Sequence, residues 1–442
     1  MAAPPSSQPS FLQALLEGDH LRAVYQPLVS IRQNCVVGYE GLIRGSDPFT
    51  GTAVGPAELF ARAVRDRRVL ELDRACRQKV LDSFAAIQKT QPDMILSLNF
   101  DASVLDDGVE GSGHLRQVVE DAGLDPSTVM IEIIESNVQG IEALRRFIGA
   151  HRDAGFLIAL DDVGAGHSNL NRIPLLRPDV LKIDRYLVQN LPADFHKQEV
   201  FRSLIQMCHK IGALVVAEGV ETREEARAVL EMGVDIIQGY YFALPHAAGH
   251  DFGALWKDRI AELGVEQKAS ILESLRVKRF KLRRYDVLTR DIQVELEKIQ
   301  RKEFDRRLKE LAHFYPLMEC LYVLDEGGLQ VTDTVFRAPE ALRRHGRLFN
   351  PPPKGTDHSL RDYYFMLFEA GLGKSTYITE PYISLASGSR CMTFARVFRD
   401  GENHRFMLCA DIDAQALDRL RADDSGDKPR KNRGVGPEVP EA

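Results

Sequence analysis

FLIALDD, residues 156–162, decides the fold. Its apolar run is nearly continuous, as in a strand buried on both faces, and two acids follow it directly. The same pattern recurs along the chain. MILSLN (94–99) ends in Asn99, ALVVAE (213–218) in Glu218 and DIIQ (235–238) in Gln238. Glu132 and Lys182 lie late in the runs at 129–134 and 179–183. Helical patterns fill the gaps, for example at 140–154 and 197–212. Strands alternating with helices over ~230 residues predict a βα barrel. The first pair differs. Runs 22–30 and 35–43 are joined by four residues, too few for a helical crossover, and read as an antiparallel hairpin with Glu40 late in its second strand.

The rest of the chain bounds the function. A length of 442 residues exceeds one ordinary core and predicts two or three domains. Net charge is -7, which excludes bulk nucleic-acid binding and gives no reason to expect a DNA partner. Six cysteines (35, 76, 208, 320, 391, 409) show no metal-knuckle or redox spacing. With no secretory signal and no apolar run of ~20 residues, the reading is a soluble cytoplasmic protein with reduced thiols and no transmembrane segment. Residues 1–9 and 421–442 read as disordered tails, 10–250 as the barrel, 251–313 as a helical linker and 314–420 as a second globular unit. Within the linker, 263–313 reads as one long helix or two in tandem, with apolar positions at 288, 292, 296, 299, 304, 308 and 311.

In a βα barrel the active site lies at the C-terminal ends of the strands. Glu40, Asn99, Glu132, Asp161, Asp162, Lys182, Glu218 and Gln238 therefore converge on one face. Buried carboxylates are costly unless paired or bound to cations. All-oxygen ligation by Asp, Glu and Asn suits Mg²⁺ or Mn²⁺ rather than zinc. Adjacent Asp161 and Asp162 suit two ions about 3.5–4 Å apart, an arrangement that activates water against a phosphodiester. Two other signals fail. GAGHSN lacks the third glycine of a dinucleotide loop, and GLGKST (371–376) has Phe368 where a phosphate loop needs its first glycine.

Residues 10–250 resemble the EAL domain, the cyclic di-GMP phosphodiesterase module. The likeness rests on YQPLVSIRQNCVVGYEGLIRG (25–45), LNFDAS, IEIIES, ALDDVGAGHSNL, VLKID, VVAEGVET and IIQGYYFALP, in that order. It implies hydrolysis of cyclic di-GMP to linear pGpG with two Mg²⁺ or Mn²⁺ ions. Glu40, Asn99, Glu132 and Asp161 would hold one ion, and Asp161 and Asp162 the second, with Glu218 and Glu221 nearby. Glu218 with Lys182 would orient or deprotonate the water. Gln26, Leu42, Arg44, Asp184 and Gln238 would meet the substrate, and Glu135 would support a loop. The chain departs from the family pattern in three places: Gly41 for alanine, Ile134 for threonine, and DDVGAGHSNL where DDFGTGYSSL is usual. The third departure keeps an alternative open, a receptor that binds cyclic di-GMP with negligible hydrolysis.

Residues 314–420 are similar to Cache- or PAS-type α+β sensor domains through SLRDYYF (359–365), YITEPYISLASGSRCMTFAR (377–396) and FMLCADIDAQALDRL (406–420). That likeness implies a small-molecule ligand held by Arg361, Tyr382 and Asp411. The whole reads as an α/β chain: a TIM-like βα barrel with an antiparallel first strand, a long linker helix and an α+β domain. A homodimer is the expected assembly.

Overall fold

The computed structural model describes residues 9–105, 113–133, 141–165, 170–249, 255–315, 317–337, 349–370 and 373–413. The chain divides into two compact units, Met1–Glu273 and Ser274–Ala442.

The first unit is built on nine strands: β1 Leu21–Ser30, β2 Cys35–Ser46, β3 Ala53–Val54, β4 Ile95–Phe100, β5 Val129–Ile133, β6 Leu157–Val163, β7 Val180–Ile183, β8 Leu214–Ala217 and β9 Ile236–Ile237. They run in the order β1-β9-β8-β7-β6-β5-β4-β2-β3, and β1 also pairs with β2. That extra pairing closes eight strands into a ring, with β3 as a short extension of β2. All neighbours from β2 through β4 to β9 are parallel, whereas β1 is antiparallel to both β2 and β9. The hairpin read from residues 22–43 is thus the seam of the barrel.

Burial explains the apolar runs. Ile131, Ile133, Ile158, Leu181, Ile183, Val215 and Ala217 pack outward into one continuous core with the surrounding helices. Met130, Ala159, Val180 and Val216 fill a smaller cluster with Leu28. Local signals end the helices. Helix Phe195–Ile211 stops at Gly212 and Arg223–Met232 at Gly233, both in the left-handed region where glycine is unstrained. The latter helix opens with a Thr222–Glu225 capping box. Helix Val69–Thr90 buries Leu72, Val80, Leu81 and Phe84, and Tyr25 donates from its hydroxyl to the Val80 carbonyl at 2.7 Å.

A helix of 42 residues runs from Leu255 to Leu296. It begins earlier than the apolar stripe suggested, because Trp256, Ile260 and Leu263 already pack into the barrel core. It stops at Leu296; a short turn at Arg301–Glu303 and a second helix, Phe304–Ala312, follow. The stretch read as a linker is therefore shared between two cores, since Ile292, Leu296, Phe304 and Leu308 belong to the second unit's interior.

The second unit is an antiparallel sheet of β10 Met318–Asp325, β11 Val335–Phe336, β12 Thr376–Ile378, β13 Tyr382–Ile383, β14 Arg390–Arg399 and β15 Arg405–Asp413. The order is β11-β10-β15-β14-β12, with β13 on β14. Side chains alternate between its faces. Leu321, Val323, Phe406 and Leu408 meet Leu296, Phe304 and Leu308. Cys320, Tyr322, Met407 and Cys409 meet Tyr363, Tyr364 and Leu367. The six cysteines are free. No helix among the described residues is long and apolar enough to cross a membrane.

Candidate active site

Lys182, on β7, is the centre of the barrel's polar group and only 1% exposed. Its ammonium lies 2.7 Å from Glu132 of β5, 2.5 Å from Glu218 at the end of β8, 3.6 Å from Asp161 of β6 and 3.7 Å from Glu40 of β2. Four strand ends thus point their acids at one cation. Burial alone would strip the Lys182 proton, but the surrounding carboxylates outweigh it and raise its pKa well above the usual value.

Neutral groups orient the acids. Asn99 donates to Glu40 at 2.9 Å, and Gln238 donates to the other Glu40 oxygen and to Gln26 at 3.1 Å. Gln26 in turn donates to the Ala243 carbonyl at 3.2 Å. Ser97, two residues before Asn99 on β4, donates to Glu132. Consecutive residues of a strand normally face opposite ways, yet both aspartates reach the same place. The ladder shifts register after Leu160, and Asp162 takes φ 56°. As a result, carboxylate oxygens of Asp161, Asp162 and Glu218 lie within 4.8 Å of one another.

The group is overcharged. Five carboxylates against one ammonium leave a net of four negative charges when all are ionised. Among the described residues the buried Glu132 Oε2 has no hydrogen-bond donor, and the buried Asp161 Oδ1 has only the Lys182 ammonium, at 3.6 Å. Burial and the neighbouring Glu40 push Glu132 up to about 8. Burial and Asp161 push Asp162 up to about 6, and Asp161 and Glu218 also move up on burial. Glu40 moves down: burial opposes its charge, but Lys182, Gln238 and Asn99 prevail. A site that drives protons onto its own acids is one that divalent cations would relieve. Buried, donor-less carboxylate oxygens are the ligands that hard cations take.

The outer residues are placed less uniformly. Leu42 and Arg44 follow Glu40 on the same side of β2, and Arg44 donates to the Ile43 carbonyl at 2.8 Å. Asp184 accepts from the Tyr186 amide at 2.8 Å and opens helix Arg185–Val188, while its charge also raises Asp162. Glu221 pairs with Arg185 at 2.8 Å, half-exposed, instead of joining the trio of Asp161, Asp162 and Glu218. Glu135, Ile134, His167 and Asn169 lie outside the described residues. Ser97 was overlooked in the sequence, although strand alternation puts it on the face of Asn99.

In the second unit Asp411 is buried and accepts from Thr393 at 2.8 Å, Tyr382 at 3.4 Å, Ser384 at 3.5 Å and the Cys320 thiol at 3.5 Å. Burial lifts it to about 6. Tyr382 and Asp411 are therefore together, but Arg361 is exposed and its side chain pairs with neither.

A closed βα barrel with a carboxylate-rich centre at the C-terminal strand ends is the class that fold and site define. Residues 10–245 match the EAL domain, and the chain belongs to that family. It is 28% identical over 396 residues to an uncharacterized EAL-domain containing protein, YkuI, of Bacillus subtilis, covering 87% of this chain and 93% of that one. The crystal structure of YkuI in complex with substrate c-di-GMP and calcium superposes with a TM-score of 0.76 at 25% identity, covering 92% of this chain and 99% of that chain. The cyclic di-GMP phosphodiesterase NbdA of Pseudomonas aeruginosa is 30% identical over 253 residues, 54% of this chain and 31% of its own length.

Proposed function

We propose that the barrel hydrolyses cyclic di-GMP to linear pGpG with two divalent cations, Mg²⁺ or Mn²⁺. The observation that carries this reading is the cluster of five carboxylates about one ammonium, whose four surplus negative charges, when all are ionised, two divalent cations would balance. Glu40, Asn99, Glu132 and Asp161 would hold one ion, and Asp161 with Asp162 the other. When bound, such a pair polarises a phosphodiester and makes water acidic enough to attack it. Glu218 takes the water's proton and Lys182, 2.5 Å away, holds that carboxylate in place. Arg44, Leu42, Gln26, Gln238 and Asp184 form the substrate shell, with Glu221 and Glu135 supporting it. The second unit acts as a sensor for a small molecule, and the chain works as a homodimer, a reading that rests on exposed Val265, Leu272, Leu275 and Phe280 of the long helix. Light scattering that finds only monomer would remove the dimer.

The test is direct. Purified full chain is incubated with cyclic di-GMP and Mg²⁺ or Mn²⁺, and the nucleotides are separated. The expected result is pGpG accumulating with time. Glu218→Gln lowers the rate by about 10²–10⁴-fold while cyclic di-GMP binding persists. Binding without product under either metal overturns the enzyme reading and favours a receptor.

A further inference from the structure

The barrel has a second concavity at the opposite end from the carboxylates. Asn34 and Cys35 precede and open β2, Met94 precedes β4, and all three border a cavity of about 650 Å³. The acids sit where these parallel strands end. The cavity sits where they begin. Its volume is within the ~300–1,000 Å³ of small-molecule sites.

Its chemistry is specific. Tyr39, Ile87, Met94, Trp256 and Ile260 make apolar walls. Thr90, Gln91 and Asn34 are neutral, and among the described residues no carboxylate lines the space. Among the described residues the one charged lining residue is Lys257, which makes no ion pair with the others. An apolar chamber with a single unneutralised ammonium at its edge suits a long apolar body ending in one anion. A doubly charged dinucleotide would leave most of its charge and its hydrogen-bonding groups unmatched there.

From this we infer that the cavity is a binding site for an amphipathic carboxylate such as a fatty acid, separate from the phosphodiesterase site. Two of its walls belong to elements that matter elsewhere. Tyr39 lines it from β2, and the next residue, Glu40, turns to the opposite face of that strand and meets Lys182. Trp256 and Ile260 line it from the first turns of the long helix. An occupant therefore touches the strand that carries Glu40 and the start of the helix that leaves the barrel.

The chain contains a single tryptophan, and it is Trp256. Its emission is a reporter of this cavity that needs no label and does not depend on hydrolysis. The full chain is titrated with dodecanoate below its micellar range. The expected result is a saturable change in emission with one site per chain. Decanoate binds about tenfold more weakly, because each buried CH₂ contributes ~0.8 kcal/mol. Dodecyltrimethylammonium gives no saturable change. Ala86→Phe, at an exposed lining position of helix Val69–Thr90, fills the chamber and abolishes the response. Lys257→Glu, also on an exposed helical position, weakens dodecanoate binding about fivefold. No saturable change, an equal response to the cationic surfactant, or unaltered affinity in either variant overturns the proposal. The phosphodiesterase reading stands or falls separately, on pGpG formation.

Discussion

Each unit of this chain buries an acidic centre, and the two are solved in opposite ways. In the barrel, four carboxylates crowd one lysine with a fifth, Asp162, beside them, and among the described residues Glu132 Oε2 is buried without a donor. In the second unit, Asp411 sits among hydroxyls and a thiol with Glu319 as a neighbouring like charge, and both Asp411 oxygens accept hydrogen bonds. The first is electrostatically incomplete and asks for cations. The second is complete with neutral partners, at the cost of a carboxylate that prefers its proton. Buried acid alone is thus no mark of a metal centre. The discriminating sign is charge excess, since Glu319 and Asp400 of the second unit also bury an oxygen without a donor.

That contrast can be broken from either side. Removing Lys182, the one central cation among the described residues of the barrel, has the largest expected effect on stability. Lys182→Met leaves Glu132 and Glu218 without their counter-charge and destabilises the metal-free barrel by about 3–5 kcal/mol, read by thermal unfolding. An unchanged melting temperature would mean that the acids are already neutral and that the crowding carries no charge.

The complementary change in the second unit goes the other way. Asp411 is raised from 3.8 to about 6, so the folded state binds its proton more tightly than the unfolded chain does. Stability from this group is therefore full below about pH 4, falls as pH rises toward 6, and stays lower above it. Asp411→Asn removes the ionisation and keeps an oxygen to accept from Thr393. It is expected to stabilise the protein by roughly 1–3 kcal/mol at pH 8 and not at pH 4. Loss of stability at pH 8 would show that the charge is wanted, as an amine-bearing ligand would require.

The smallest effect concerns the residue beside Glu40. An added methyl on Gly41 would come within 2.3 Å of Val80 Cγ1, so the valine occupies the space that the family's alanine uses. Gly41→Ala should cost about 1 kcal/mol by overpacking, and Val80→Ala in the same chain should recover part of it. Melting curves of the single and double variants decide this; additive losses would disprove the exchange.

Much of the barrel was legible because its strands are buried on both faces and end abruptly in polar residues. FLIALDD and ALVVAE each carry their apolar core and their acid in one short run. The hairpin was legible because four residues cannot hold a crossover. What escaped has equally physical reasons. β3 has two residues, too few to show a period. The long helix starts eight residues before the expected start at 263 because Trp256, Ile260 and Leu263 face a core that only the folded barrel supplies. Glu221 is drawn off by Arg185, a contact between a loop and the first residue of a distant helix that no local pattern encodes. Val80 compensates Gly41 across 39 positions of sequence. Arg361 and Asp411 lie on separate elements, and spacing in sequence said nothing about the distance between them.

The most direct test of the charge argument is to count ions. Metal-free protein is titrated calorimetrically with Mn²⁺ in the presence of cyclic di-GMP, for the native chain and for Asp161→Asn. The account predicts two Mn²⁺ per chain and loss of at least one of them in the variant, because the proposal has Asp161 serve both ions. A native chain that binds cyclic di-GMP but takes up no Mn²⁺ would contradict it, for the four surplus charges would then be neutralised by protons.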